Sequence, residues 1–524
     1  MNLPALMATI LAPLSLLASA PADWRDNLPR PVIDAHPEYL TLWSNAWQIA
    51  HTRIDTIPGL PAPRYMDEAH RSDRLWIWDT CFMAHFCKYL PDEFPGIQSL
   101  DNLYGIVLAP DGKPLPKVLG NKWCGDQTGK WLDLTIHHPD NPPLFEWTEY
   151  THALQTGDRK RLEMVWERRY LQRWFDLFES FRPGMPNPHG TLVPVKACRH
   201  QDGFSWEGCA SGMDNTPRGR KGTPLGGGVQ EYHEFPDALW VDALAQQALS
   251  ALYIARIAEL LGHGAEARSW KARHATLAAQ LNALYYDAED GWYYDIRLGS
   301  REKIKVRTIA SYWPVLAEAP DRQMFDRMAA ELENPETFGG VVPTPSLARN
   351  DGDFQPSGGY WRGSVWLPTS YMAIKALDCY GDYERARRVA ERIVGWMARA
   401  WREDEPSTIW ECYSPTRPAG ATCDGIRKVR TDFCGWSALG PISLLIEDVI
   451  GIKRADAFAR TLLCHFPKTI EGRLGVENYR FGTIRCSVVA TSQKIAVESN
   501  DSFVLTVDGR AYEVKPGVQT FPRR

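Results

Sequence analysis

The chain has 524 residues, 44% hydrophobic and 23% charged, an ordinary globular balance with length enough for a large core and one or two domains. Its formal net charge of −5 argues against a nucleic-acid partner, which selects for basic surface. Tryptophan is the outlier at 21 copies; most indoles belong to cores, but several here recur beside Gly, Pro and acids, where packing explains them less well.

Residues 1–22 form an uncharged apolar run ending in Ala18-Ser19-Ala20 and Ala20-Pro21-Ala22, which reads as a secretory signal peptide and predicts an exported protein. No later segment is long and apolar enough to span a bilayer. Residues 23–467 are expected to form the catalytic domain, with amphipathic helices at 36–53, 75–90, 97–108, 143–157, 159–181, 241–261, 265–286, 305–318, 320–333, 364–380, 383–402 and 433–451. The 241–261 helix is the clearest: Leu244, Ala248, Ala251, Leu252, Ala255, Ile257 and Leu260 recur at helical spacing, and Gly262 stops the run. A dozen such helices suit six hairpins closed in a ring, so the predicted class is all-α. Residues 468–524 read as a small antiparallel β appendage. Thr483–Val488, Lys494–Val497 and Phe503–Val507 alternate apolar with polar, and Asn500-Asp501 and Asp508-Gly509 supply turns.

The long loops at 109–142, 183–235, 334–362 and 403–432 are rich in Gly, Pro, Asp and Trp, and loops of this length are uncommon unless functional. Gathered at one end of a helical ring they would build a pocket. Two of them carry isolated acids beside aromatics. Asp214 sits in Ser211-Gly212-Met213-Asp214-Asn215-Thr216-Pro217-Arg218, shortly after Phe204-Ser205-Trp206-Glu207-Gly208. Glu411 sits in Trp410-Glu411-Cys412-Tyr413. Glycoside hydrolysis needs such a pair, one carboxyl to protonate the leaving oxygen and one to activate water or attack carbon. An Asp in a Gly turn more often caps the turn, and a loop Glu is more often solvated. Glu207 rivals Asp214; Glu403 and Glu405 rival Glu411 but lie in a charged run that looks solvated.

The eleven cysteines include no Cys-x-x-Cys pair, and His137-His138 have no third ligand at a recognisable spacing, so neither a metal nor a cofactor is expected. In an exported chain, Cys412, Cys423 and Cys434 crowd around Glu411 closely enough to predict a bridge there. Cys198 with Cys209 is a second candidate, while Cys81, Cys87 and Cys379 read as free thiols.

Five blocks in order make the chain resemble glycoside hydrolase family 63 and its relatives, the mannosylglycerate and glucosylglycerate hydrolases and, more distantly, the trehalases. They are Trp76-Ile77-Trp78-Asp79-Thr80, Asn141-Pro142-Pro143-Leu144, Ser211 to Arg218, Tyr360-Trp361-Arg362-Gly363-Ser364-Val365-Trp366, and Trp410-Glu411-Cys412-Tyr413. The resemblance implies an (α/α)6 barrel that hydrolyses α-glycosides with inversion, Asp214 as general acid and Glu411 as general base. It also implies that Asp79 accepts hydrogen bonds from the terminal sugar, with Trp76, Trp78, Tyr360, Trp361 and Trp366 walling the subsite. Asn141, Trp206, Gly212 and Arg362 complete the expected substrate-binding set, while Arg218 is expected to brace the Asp214 loop. The chain departs from the pattern in three places: Asn141 replaces the Gln that relatives often carry before Pro-Pro, Cys209-Ala210 stand where relatives often carry a Trp close before Ser-Gly-Met-Asp, and Glu-Asn-Tyr is replaced by Glu411-Cys412-Tyr413.

The resulting expectation is an exo-acting, inverting α-glucosidase acting on an oligosaccharide or small glycoside. A phosphorolytic relative would need no base carboxylate, and a non-catalytic sugar-binding protein would lack one of the two acids; both acids are present.

Overall fold

The computed structural model describes residues 23–58, 60–68, 75–108, 118–119, 122–124, 131–133, 144–182, 185, 197–206, 208–218 and 237–523. The 1–22 segment, Asn141, Glu207, the two histidines at 137–138 and the Cys209 side chain lie outside that description.

The helices are α1 (Glu38–His51), α2 (Ile77–Cys87), α3 (Gly96–Val107), α4 (Phe145–Thr156), α5 (Arg159–Glu167), α6 (Tyr170–Ser180), α7 (Gly208–Ser211), α8 (Val241–Leu261), α9 (Gly264–Leu284), α10 (Trp313–Leu316), α11 (Arg322–Glu331), α12 (Leu367–Cys379), α13 (Tyr383–Glu403) and α14 (Gly440–Ile450). Contacts run from α2 to α4, α8, α10, α12, α14 and back to α2, closing an inner ring. Burial follows position in this ring. Both α2 and α14 are buried at every residue, whereas α9, on the outside, buries only Ala267, Leu277 and Leu281. The inner helix α8 starts after Trp240 with Asp242 in its first turn, where a carboxylate meets the positive end of the helix dipole. It ends at Gly262, whose φ of 88° suits the left-handed C-cap. The predicted 159–181 helix is two helices, because Arg169 turns left-handed at φ 55°. The ring axis is filled by aromatic side chains: Trp78 packs on Trp313 at 5.9 Å, Trp313 on Trp147 at 6.4 Å, and Trp147 on Tyr371 at 5.9 Å.

The all-α expectation is wrong. The molecule is mixed, 44% helical and 19% strand. A five-stranded antiparallel sheet orders β1 (Arg30–Ile33), β4 (Leu474–Phe481), β5 (Ile484–Ala490), β6 (Lys494–Ser499) and β9 (Gly517–Pro522). A four-stranded sheet orders β2 (Ile452–Asp456), β3 (Thr461–Cys464), β7 (Phe503–Val507) and β8 (Arg510–Val514), with β3 and β7 parallel. Alternate residues of β5 and β6 are buried, so each strand turns one face inward. Helical periodicity dominates most of the sequence, and the short strands around it carry weaker signals. The N-terminal β1 has no pattern of its own that announces pairing with a strand more than 400 residues away.

The four-stranded sheet docks on the helical ring through buried charge. Lys453 of β2 reaches the Asp378 carboxylate of α12 at 2.8 Å and also pairs with Asp448 of α14. Lys375 holds the same two acids and Glu447, each at 2.8 Å. None of the nine described cysteines is bridged, so the bridge predicted among Cys412, Cys423 and Cys434 does not form, and Cys198 is free. Cys412 and Cys434 are instead buried thiols, pushed up by burial, with the Cys434 thiol donating to the Ala46 carbonyl oxygen at 3.4 Å. Replacing Lys453 by Ala leaves Asp378 and Asp448 with one fewer buried cation. A loss of about 3–5 kcal/mol is expected, read as a lower urea midpoint for the whole chain.

Candidate active site

The Asp214 turn is fixed from three sides. Ser211 closes it locally, its hydroxyl donating to the Gly208 carbonyl at 2.7 Å and accepting from the Met213 N–H at 3.1 Å. Two glycines make the path possible. A Cβ on Gly208 would lie 1.9 Å from the Asp214 carbonyl oxygen, and Gly212, at φ 80°, passes within 3.3 Å (from a built Cβ) of the Trp78 ring. Beneath, the buried Arg218 guanidinium forks into two carboxylates, Asp242 at 2.7 and 2.7 Å and Asp295 at 2.7 and 2.6 Å, and stacks 4.0 Å from the Trp240 ring centroid. This is the bracing role expected of Arg218. Sideways, the Asn215 amide donates to the Gly359 carbonyl at 3.1 Å and accepts from the Trp361 N–H at 2.8 Å.

That lateral clamp reaches the second acid. Tyr360, held at φ 61°, donates its hydroxyl to Glu411 Oε1 at 3.1 Å. The same oxygen accepts from the Arg430 guanidinium at 2.7 Å; among the described residues, Oε2 accepts only the longer 3.3 Å contact from the Arg430 N–H. The Glu411 backbone is equally constrained, its carbonyl accepting from the Trp436 indole at 2.7 Å and the Ser437 hydroxyl at 3.1 Å. Burial raises the Glu411 carboxyl above the usual range, and Arg430 is the chief opposing influence.

Asp79 lies in the first turn of α2, behind the half-buried Trp76. Its carboxyl makes no hydrogen bond to another described residue. It is pushed well above the carboxylate range by burial and then by the charges of Asp214 and Glu411. Tyr360 likewise feels both acids. Asp79, Asp214, Tyr360 and Glu411 therefore share one electrostatic environment, contributed by separate chain segments. Glu68, fully buried, adds a further carboxyl next to Asp79 and is also raised well above its usual range, by burial first and then by Asp79.

The remaining predicted tryptophans, Trp78, Trp206, Trp361 and Trp366, are all buried. Trp78 packs against Phe82 at 5.1 Å beside the Gly212 turn. Trp361 and Trp366 stack on each other at 4.1 Å with rings parallel within 1°, and the Trp366 indole donates to the Tyr360 carbonyl at 3.2 Å. Trp366 is fully covered, so it holds Trp361 and Tyr360 in place from behind. Trp206 is 2% exposed and packs between Phe178 and Trp240, under the Asp214 turn. Arg362 approaches Asp353 at 3.9 Å. Of the rivals to Glu411, Glu403 is tied to Arg399 and Arg402 on the surface at the end of α13. Sequence reasoning missed Arg430, Asn215 and Glu68. Arg430 stands in a basic stretch with Arg427 and Lys428 that reads as solvated surface, and nothing local marks it as a partner of an acid 19 residues earlier.

Residues 106–436 match the family model described as the mannosylglycerate hydrolase MGH1-like glycoside hydrolase domain. The chain belongs to this family of glycoside hydrolases. Among its relatives, the mannosylglycerate hydrolase of Rubrobacter radiotolerans is 32% identical over 197 residues, a stretch covering 37% of this chain and 40% of that enzyme. Among solved structures, a GH63 mannosylglycerate hydrolase of Thermus thermophilus in complex with glucose superposes with a TM-score of 0.54 at 19% identity, over 77% of this chain and 99% of that one. A structure named sialidase superposes with a TM-score of 0.66 at 12% identity, over 95% of this chain and 40% of that one. At these identities the superpositions speak for the fold. The second extends over nearly the whole chain, so the helical ring and its sheets recur together.

Two tests follow from this geometry. A methyl at position 208 displaces the Asp214 turn, so Gly208→Ala is expected to lower kcat by at least about 100-fold on any glycoside the enzyme cleaves. Removing the Arg430 charge by Arg430→Gln leaves burial of Glu411 unopposed by that cation. Its carboxyl then titrates higher, and the acidic limb of the kcat/KM profile is expected to move to higher pH.

Proposed function

We propose that this glycoside hydrolase is an inverting, exo-acting α-glycosidase whose substrate is an α-glucoside, either an oligosaccharide or a small glycoside. Asp214 protonates the glycosidic oxygen as the bond to the leaving group breaks. Glu411 takes the proton of a water that attacks the anomeric carbon from the opposite face in the same step. Asp79 accepts hydrogen bonds from hydroxyls of the terminal sugar, and Trp76, Trp78 and Trp361 flank that ring. Inversion needs about 6.5–9.5 Å between the two carboxyls so that the water fits.

The observation that carries the reading is the asymmetric holding of Glu411. Tyr360 and Arg430 anchor Oε1, while Oε2 keeps one long contact among the described residues. A carboxylate anchored on one oxygen and open on the other suits a general base directed at water. Glucose in the related Thermus structure supports a glucosyl subsite, and the mannosylglycerate hydrolase relatives make mannose the competing sugar. The apolar 1–22 segment supports export of the enzyme, a proposal checked by N-terminal sequencing of the mature protein.

Proton NMR of the anomeric signals during cleavage tests the mechanism. The panel is trehalose, kojibiose, nigerose, maltose, isomaltose, glucosylglycerate and mannosylglycerate. Initial release of the β-anomer is expected from an α-glucoside, with kcat reduced at least about 1,000-fold in both Asp214→Asn and Glu411→Gln. Initial α-anomer would sink the single-displacement mechanism, and turnover of mannosylglycerate alone would replace glucose by mannose.

A further inference from the structure

The inner helices begin at the candidate active site and end at a second cavity. Asp79 opens α2 and Lys88 follows its end, so the two poles are separated by roughly 14 Å of helix rise. Aromatic rings fill the axis between them. At the far pole, where β2 and β4 dock on the ends of α4, α8 and α12, a cavity of about 350 Å³ is lined by tyrosines and charged side chains. This size lies within the range of small-molecule sites.

The charges in its floor are internally matched. Lys88, Lys375 and Lys453 face Glu447, Asp448 and Asp378, three cations against three anions. Glu447 is saturated, accepting from Lys88 at 2.6 Å, Tyr89 at 2.8 Å and Tyr371 at 3.0 Å. At the rim Arg256 pairs with Glu318 at 2.6 Å and lies 4.8 Å from the Tyr253 ring centroid. The hydroxyls are not matched. Tyr150, Tyr253 and Tyr383 line the cavity, and none of their phenol groups bonds to another described residue. Tyr253 is the telling one, because the residue is only 6% exposed while its unpartnered hydroxyl is not sealed from solvent and opens on the cavity. Its ring meets Tyr150 edge to face at 5.4 Å, so the two present adjoining aromatic surfaces.

Arg454 also lines the cavity, exposed and without an ion-pair partner among the described residues, so one cation is left over. The rest of the wall, with matched charges, several aromatic faces, spare hydroxyls and a planar Arg–Glu pair, suits a neutral polyol. We propose that this cavity is a second carbohydrate site, taking a neutral hexose or one end of a short oligosaccharide away from the candidate active site. The Tyr150, Tyr253 and Tyr383 hydroxyls and the Arg256–Glu318 pair hold the sugar hydroxyls, and the Tyr150 and Tyr253 rings meet its C–H face. The choice of a sugar rests on the glycosidase reading; the existence of a site rests on the cavity.

Titration of the full chain with glucose and maltose, the chain carrying Glu411→Gln so that substrate persists, measures the number of sugars bound. Two per chain are expected. Adding Tyr253→Phe, which deletes one oxygen and keeps the ring, is expected to weaken one site about tenfold. In the otherwise native enzyme, Tyr253→Phe is expected to leave kcat/KM on a cleavable glycoside unchanged. A crystal soaked with glucose locates both molecules. One sugar per chain, insensitive to Tyr253→Phe, or density confined to the Asp79 pole, overturns the proposal, as does the absence of any binding. Failure of hydrolysis with two sugars still bound would instead remove the glycosidase mechanism and leave the second site standing.

Discussion

The whole candidate site depends on one buried ion triad, Arg218 between Asp242 and Asp295. Taking a guanidinium out of water costs far more than a single pair repays, and two carboxylates in fork geometry with near-ideal distances offset that cost. The arrangement is also a crossing point of the chain. Asp242 belongs to the first turn of α8, and Asp295 to a short strand that also accepts the Val241 N–H at 2.8 Å. Arg218 ends the Asp214 turn. One cation therefore ties a loop, a helix start and a strand together, so a residue on a long loop is positioned as firmly as one on a helix. The Trp240 face under the guanidinium adds a cation–π contact and excludes water.

From that anchor, position propagates to the other acid through backbone groups rather than long side chains. Asn215 uses both ends of its amide on Gly359 and Trp361, and the residue between them, Tyr360, holds Glu411. Asp214 and Glu411 thus sit on loops far apart in sequence but share a short hydrogen-bonded path. Any change in the Asn215 clamp shifts Asp214 and Tyr360 together. The stacked Trp361–Trp366 pair stiffens this path from behind, which gives the covered Trp366 a purpose without requiring it to touch sugar.

The helical framework was legible because its signal is periodic. The bounds of α8 coincide with the run that starts at Val241 and stops before Gly262, and each of the other predicted helices corresponds to helical structure, three of them interrupted. The fold class was misjudged because the strands are short and distributed, and because β1 pairs across almost the entire chain. Long-range pairing leaves no local mark. The same reason explains the site. The sequence picks out Asp214 and Glu411 because isolated acids in aromatic-flanked loops stand out against composition, whereas Asp79 enters through the family resemblance of its Trp76-Ile77-Trp78-Asp79-Thr80 block. Arg430 and Glu68 do not stand out, since each acquires its meaning only from a neighbour that folding brings in. The cysteines fail in the opposite direction. Proximity in sequence suggested a bridge at Cys412, Cys423 and Cys434, but the loop is held by the Trp436 and Ser437 bonds to the Glu411 carbonyl instead.

Charge within the pocket decides its protonation. Asp79, Asp214, Glu411 and Glu68 crowd one region, and among the described residues Arg430 is the cation that opposes the upward push on both Asp79 and Glu411. Burial raises the Asp79, Glu411 and Glu68 carboxyls, and repulsion between neighbouring carboxyls adds to the push on Asp79 and Glu68. Arg430 breaks the symmetry. Its guanidinium lies on Glu411, and it is 43% exposed at the side chain, so its charge is partly screened by water yet directed at one acid. Arg430 thus favours ionisation of Glu411, while burial and the neighbouring Asp79 push the Glu68 carboxyl well above its usual range. A single arginine placed on one side therefore sets Glu411 apart from the carboxyls around Asp79.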